Sequence, residues 1–363
     1  MTEIKYTMDK EKINVFVDCS AGAEECFVIP ILINVLLKNK NINIIGISAS
    51  YGKASIENSE SNLLHIIKRF CLNERVDLYR GADEQLLQSE HDLIKYEELP
   101  LANNFTTAKY PRISGDILIN KIRSIKNGKF MFISLNNLTC ISNLLMQKPQ
   151  LRTLIDKLLW TGVSFDHTKE TNLLFDPNAA NHILQDPLMK KKIVIFPMDF
   201  TANFQFGDAE GERLSYNELG KEKKNGVFKT ELLTFAKRTN VKTVGNSAPL
   251  LVALFEYLGL STESHNWEIE ERKLLCTIEG EGKGKPITLK SIPHTKIKTN
   301  LLDIEQQEPL LVFGMDYEKG WKQLHSWIDT ADLRLTKAKS PAFLSDYRMV
   351  IMLIVENAAL LLK

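Results

Sequence analysis

An α/β fold built on a mostly parallel central sheet flanked by helices, with a small C-terminal antiparallel appendage, is predicted by three features of this 363-residue chain. Short apolar runs rich in Val, Ile and Phe recur from Val15 to Met198, and strands buried on both faces read this way because neither face meets water. Longer segments of helical apolar spacing separate those runs, which implies βαβ units whose helices carry the chain back across the sheet. From Trp267 to Ile292 the pattern changes to shorter alternating segments interrupted by Gly280, Gly282 and Gly284, as expected of an antiparallel hairpin.

Taken in order, strands are predicted over Val15–Asp18, Ile42–Ser48, Val76–Arg80, Phe130–Leu135, Lys157–Thr161 and Ile193–Met198. The crossover helices are predicted over Cys26–Lys38, Ser55–Phe70, Asp116–Lys126, Ile141–Met146 and Asn178–Leu184. Asn203 to Gly226 is polar and loop-like, whereas Thr230–Arg238 and Leu250–Leu258 have helical spacing. Leu311–Asp316 reads as a further strand, and Gly320–Ile328 and Asp346–Leu362 as terminal helices. No internal repeat, low-complexity tract or linker divides the chain. The expected organisation is a polar tail over residues 1–12 followed by one domain over 13–363.

Composition narrows the function classes. Apolar residues make up 44% of the chain, enough for a large buried core, and 46 Lys and Arg against 45 Asp and Glu leave a formal charge of +1. That balance gives no electrostatic case for nucleic acid or an anionic membrane. Met1 to Lys12 lacks the apolar stretch of a signal peptide and no apolar run reaches the ~18 residues of a membrane span, so a soluble, cytoplasmic protein is expected. The five cysteines are an odd number without a Cys-x-x-Cys pair, which argues for buried free thiols rather than a zinc site or disulfides. A glycine-rich phosphate loop is absent, and with it any support for kinase or nucleotide-hydrolysing chemistry.

The most informative segment is Ile13 to Glu25, where an apolar strand runs into the tight acidic turn Asp18-Cys19-Ser20-Ala21-Gly22-Ala23-Glu24-Glu25 and then an apolar helix. Open α/β sheets place their ligands at such a carboxyl end. The turn resembles the Asp-x-Asp-x-Gly-x-Asp-Asp motif of the nucleoside hydrolases, and further segments are similar to that family in the right order. Leu78-Tyr79-Arg80-Gly81-Ala82, Phe132 to Thr139, Glu170-Thr171-Asn172 with Asp176-Pro177-Asn178-Ala179-Ala180, and Pro197-Met198-Asp199-Phe200-Thr201 each stand where the family has a related motif. The resemblance spans roughly residues 13 to 330 and implies a nucleoside-hydrolase-like fold, a nucleoside or ribose ligand and a homo-oligomer, either dimer or tetramer.

It also implies a chemistry. Hydrolysing an N-ribosidic bond builds positive charge on the sugar, so the site must activate water, grip the ribose hydroxyls and let the base depart. In the family a calcium ion held by aspartates and a threonine carbonyl serves the first two needs, as oxygen ligands suit a hard cation. Here Asp18 and Gly22 match the motif, but Ser20 stands at the general-base and metal-bridging position. Glu24 and Glu25 replace the ribose-binding and metal-binding aspartates, each one methylene longer. Thr139 matches the threonine whose carbonyl ligates the ion, which leaves Asp18, Glu25 and Thr139 as the candidate metal ligands. Gly245-Asn246-Ser247-Ala248-Pro249 stands where a late His-Asp pair is expected.

Lys53, following Tyr51-Gly52, replaces an asparagine of the sugar site, and an ammonium among the acidic groups would stand in for the ion. Candidate ligand-binding residues are Glu24, Lys53, Ser164, Glu170 and Asn172, with Ser164 at the place of a family asparagine and Thr161-Gly162-Val163 at that of a Met-Gly-Gly turn. His167 is a candidate acid close by. Two readings remain. In one, the fold is kept for binding a ribosylated ligand or a protein partner after calcium-dependent hydrolysis has lapsed, with no cofactor, calcium being bound only if the altered site still takes it. In the other, Glu24 and Glu25, with Asp18, sustain an active N-ribohydrolase that converts a nucleoside and water to ribose and base.

Overall fold

The computed structural model describes residues 12–22, 25–36, 39, 41–69, 76–87, 110–124, 128–165, 171–201, 247–258, 266–276, 286–291, 295–297, 301–315 and 319. Its centre is β1 (Lys12–Cys19), flanked in parallel by β2 (Ile42–Ala49) and β4 (Gly128–Ser134). β3 (Leu78–Arg80) lies outside β2, and β5 (Lys157–Thr161), β6 (Ile193–Phe196) and β10 (Leu310–Gly314) extend the other side, all parallel. Beyond β10 the sheet turns antiparallel through β7 (Trp267–Cys276), which also pairs with β8 (Pro286–Ser291) and β9 (Thr295–Ile297). The predicted antiparallel appendage is thus an extension of the main sheet, whose order is β3-β2-β1-β4-β5-β6-β10-β7-β8 with β9 on β7.

Period-2 alternation along β1 sends its side chains to two separate cores. Val15, Val17 and Cys19 join a cluster with α1 (Glu25–Leu36), α2 (Ile56–Arg69) and α9 (Ser247–Tyr257). Phe16 joins the opposite cluster, with α3 (Gly115–Ser124), α4 (Thr139–Gln147), α5 (Leu151–Leu154) and α7 (Pro177–Gln185). Helices joining β1, β2 and β3 therefore cover one face and those joining β3, β4, β5 and β6 the other. The chain reverses its direction of winding between β1 and β4, and such a reversal opens a crevice at the strands' carboxyl ends.

Where strand and helix ends differ from those predicted, a local reason is visible. The run Ile193–Met198 leaves the ladder at Phe196 because Pro197 has no N–H to donate, and Met198–Thr201 forms a short helix, α8. The helix expected at Asn178 begins at Pro177, suited to a first helical position by its fixed φ, with Asp176 Oδ1 accepting from the Ala179 N–H at 3.0 Å. A short helix α6 (Thr171–Phe175) precedes it, which no periodicity announced. The helices expected at Thr230–Arg238, Gly320–Ile328 and Asp346–Leu362 lie outside the described residues. Among the described residues no helix is long and apolar enough to cross a membrane.

Phe132 on β4 shows what holds the sheet to its second layer. It is fully buried and stacks on Phe16 with ring centroids 5.3 Å apart, a geometry that adds to the burial energy of both rings. Phe132→Ala is expected to lower unfolding free energy by about 3–5 kcal/mol in urea titrations. A loss under about 1 kcal/mol would mean that this aromatic pair does not carry the packing.

Candidate functional site

Asp18 is fixed at the crevice by its register, since it lies opposite Ser48 on β2 and Ser134 on β4. The carboxylate is wholly buried; its Oδ1 accepts from Ser48 Oγ and from Ser50 Oγ, each at 2.6 Å. Oδ2 takes no N–H or O–H donor among the described residues. Burial pushes the Asp18 carboxyl up from the usual 3.8 to about 6, against the bonds from Ser48, Ser50 and the Cys140 thiol, which pull it down. The same burial raises the thiols of Cys19 and Cys140, so both stay protonated and unreactive.

The turn after β1 is tight enough to hold Ala21 at φ 45°, a left-handed conformation that costs an L-residue roughly 1 kcal/mol. Asn62 Nδ2 on α2 fixes it by donating to the Ala21 carbonyl at 3.0 Å. Ser20 is buried in this turn, and its hydroxyl has no hydrogen-bond partner among the described residues. At the start of α1, Glu25 is 1% exposed and Lys53 Nζ lies 3.7 Å from its Oε1. A carboxylate in a helix's first turn also gains from the helix dipole. Gly22 packs closely here: a Cβ would come 2.8 Å from Glu25 Oε2 and 3.2 Å from Lys53 Cβ, so a side chain would displace the Glu25 carboxylate.

Lys53 is presented by a turn that β4 holds from across the crevice. Asn136 Nδ2 and Asn137 Nδ2 both donate to the Tyr51 carbonyl, at 2.6 and 3.1 Å. Asn136 is itself set by Trp160 Nε1, 2.9 Å from its carbonyl, and by Ser134 Oγ at 3.1 Å. A side chain on Gly52 would collide with the Asn136 amide, so glycine lets the two segments touch. The Tyr51 hydroxyl and Asp176 Oδ2 both reach Thr139 Oγ1, at 3.1 and 2.6 Å, which ties α4 to the end of α6.

On the far side of β4, Asn172 donates to the Thr161 carbonyl at 2.7 Å, and Ser164 Oγ donates to Asp199 Oδ1 at 3.1 Å. Asp199 also accepts the Phe165 N–H, at 3.0 and 2.9 Å from its two oxygens. Val163, at φ 75°, is a β-branched residue in a conformation that favours glycine. The structure thus gathers Asp18, Ser20, Glu25 and Lys53 around the end of β1, with Thr139 at the end of β4 and Ser164 and Asn172 past β5. Glu24, His167, Glu170 and residues 245–246 lie outside the described residues. The parts played by Ser48, Ser50, Asn136, Asn137 and Asp199 escaped the sequence reading. Of these Asp199 carried a signal, standing inside the Pro-Met-Asp-Phe-Thr motif, and Asn136 and Asn137 another, inside the Phe132 to Thr139 segment.

The family model described as "Inosine-uridine preferring nucleoside hydrolase" matches residues 15–281. The chain belongs to that family. It is 22% identical to the uridine nucleosidase of Saccharomyces cerevisiae over 90% of its own length and 98% of that protein. Among solved structures, an inosine-guanosine nucleoside hydrolase superposes with a TM-score of 0.66 at 13% identity, covering 88% of this chain and 99% of that one. A plant nucleoside hydrolase gives 0.62 at 15% identity over 87% and 98%. At those identities the structural likeness speaks for the fold alone.

The nucleoside hydrolase family is normally calcium-dependent, which makes the donor set at the end of β1 a test. Ser20 offers a neutral hydroxyl where the family has a carboxylate, and the Glu25 carboxylate faces an ammonium. Among the described residues no group of three or more His, Cys, Asp or Glu side chains is arranged to hold a metal ion. Hard divalent cations depend on the number of carboxylate oxygens around them; in this turn Asp18 and Glu25 are the described carboxylates, and Glu24 lies outside the described residues.

The raised value of Asp18 fixes the sign of a pH effect. Its folded-state value of about 6 lies above the unfolded 3.8, so ionisation subtracts stability as pH rises through that window. The full loss is about 3 kcal/mol. Asp18→Asn keeps an acceptor for Ser48 and Ser50, and is expected to exceed the parent in stability by up to about 3 kcal/mol at pH 7.5. In urea unfolding the gap should close below about pH 4. A gap that does not change with pH would show that Asp18 is not the titrating group.

Proposed function

We propose that this nucleoside hydrolase homologue binds a ribosylated ligand at the carboxyl ends of β1 and β4 without calcium-dependent hydrolysis of the N-ribosidic bond. What supports this reading is Ser20. Its hydroxyl is buried, by resemblance to the family motif it takes the general-base position, and a neutral hydroxyl cannot take a proton from water at neutral pH. Loss of a general base alone commonly removes ~10²–10⁴ in rate. Candidate ligand contacts are Lys53, Ser164, Asn172 and, outside the described residues, Glu24 and Glu170. A homo-oligomer is the assembly we assign by likeness to the family, and a protein partner at the same face is compatible with the reading.

One observation favours the other reading, an active N-ribohydrolase. Asp18 combines a value near neutrality with an oxygen that no N–H or O–H donor satisfies among the described residues, and a general base works best when poised near the operating pH. In that case Asp18, aided by Glu24 and Glu25, would supply the missing carboxylate.

Calorimetry with inosine, uridine and ribose, followed by ribose-release assays on the same samples, separates the two. The expected outcome is saturable binding of a nucleoside or ribose with no ribose released above the uncatalysed background. Ribose release that Asp18→Asn abolishes would overturn the proposal in favour of hydrolysis.

A further inference from the structure

The chain departs from the family at Ser20, at Lys53 and at the adjacent pair Asn136-Asn137, and the fold brings the pair against the turn that carries Lys53. Asn136 and Asn137 stand where the family has Gly-Pro, and both amides close on the Tyr51 carbonyl, at 2.6 and 3.1 Å. That bond pair fixes the turn that carries Lys53, whose ammonium is 3.7 Å from the buried Glu25 carboxylate. Gly22 leaves just enough room for the pair, since a Cβ there would come 2.8 Å from Glu25 Oε2. We infer that Lys53 is the site's built-in cation: its ammonium, carried on a turn whose Tyr51 carbonyl is held by the Asn136 and Asn137 amides, takes the electrostatic place of the divalent ion that the family's hydrolases use.

Charge arithmetic supports the substitution. Asp to Ser at position 20 changes the formal charge from −1 to 0, and Asn to Lys at position 53 changes it from 0 to +1. Together these two positions add two positive units, and the late family aspartate missing from Gly245 to Pro249 adds a third, so the site's carboxylate charge is reduced while a cation is gained. A carboxylate as buried as Glu25 needs a compensating charge, because leaving it unpaired costs far more than an exposed charge does. Covalent attachment makes the compensation independent of metal supply. The ammonium also offers three donors, so a ligand fitted to this site presents acceptor oxygens, such as vicinal sugar hydroxyls, rather than an amine. This inference rests on the proposed ribosylated ligand only in that last step.

Thermal unfolding of the full chain tests it without any nucleoside, so its failure and a failure of the binding reading are distinguishable. The parent, treated with chelator and then titrated with calcium chloride alone, is expected to show neither heat of binding nor a shift in melting temperature. Lys53→Met is expected to melt about 4–8 °C lower, with Lys53→Arg close to the parent. The double variant Glu25→Gln with Lys53→Met should recover most of that loss, as expected for two groups that compensate each other. Should Lys53→Met fail to fold, the double variant and the calcium titration of the parent still decide. Stoichiometric calcium binding by the parent, or additive effects of the two substitutions, would overturn the inference.

Discussion

The register of β1 between β2 and β4 is the constraint on which the rest of the site depends. One residue of slip would turn Phe16 and Asp18 to the face now filled by Val15, Val17 and Cys19, exchanging an aromatic core and a carboxylate for aliphatic side chains. With the register fixed, Asp18 lies opposite Ser48 and Ser134, the strand ends at the point where winding reverses, and the tight turn at Ala21 delivers Glu25 to the start of α1. Everything that follows at the crevice is a matter of which side chains stand at these predetermined places.

Those side chains make a buried, polar site. Asp18 retains a buried carboxylate and two serine donors, yet the neighbouring position that would activate water holds a hydroxyl. The surrounding scaffold is intact and well connected: the Tyr51 hydroxyl and Asp176 converge on Thr139, and Asn172 closes on the Thr161 carbonyl. Two amides, from Asn136 and Asn137, hold the Tyr51 carbonyl of the turn that carries Lys53. Ala21 and Val163 are strained in turns at the carboxyl ends of β1 and β5, where backbone in unfavourable conformations tends to be retained for function; the third positive-φ residue, Asn266, precedes β7 and is of a type that tolerates that conformation.

Much of this was legible in the sequence, and the limits have physical causes. The parallel strands could be read because burial on both faces makes them continuous apolar runs, and the turn at Asp18 because its glycine and acidic residues sit at fixed offsets. Motif positions suggested an ammonium among the acidic groups, without singling out Glu25 as its partner. What could not be read were bonds between an amide side chain and a distant backbone group. Asn136 reaches Tyr51 across a separation that leaves no periodic trace, and Ser48 and Ser50 became partners of Asp18 only through the strand register. The carboxyl end of β6 was placed too late because the apolar run continues past Pro197, where the ladder cannot.

The most direct test of the account is anomalous diffraction from crystals grown with calcium. The account predicts no anomalous peak at Glu25 and the Lys53 ammonium within ion-pair distance of its carboxylate. A calcium peak coordinated by Glu25 and Asp18, with Lys53 swung aside, would contradict it and return the site to metal-dependent chemistry.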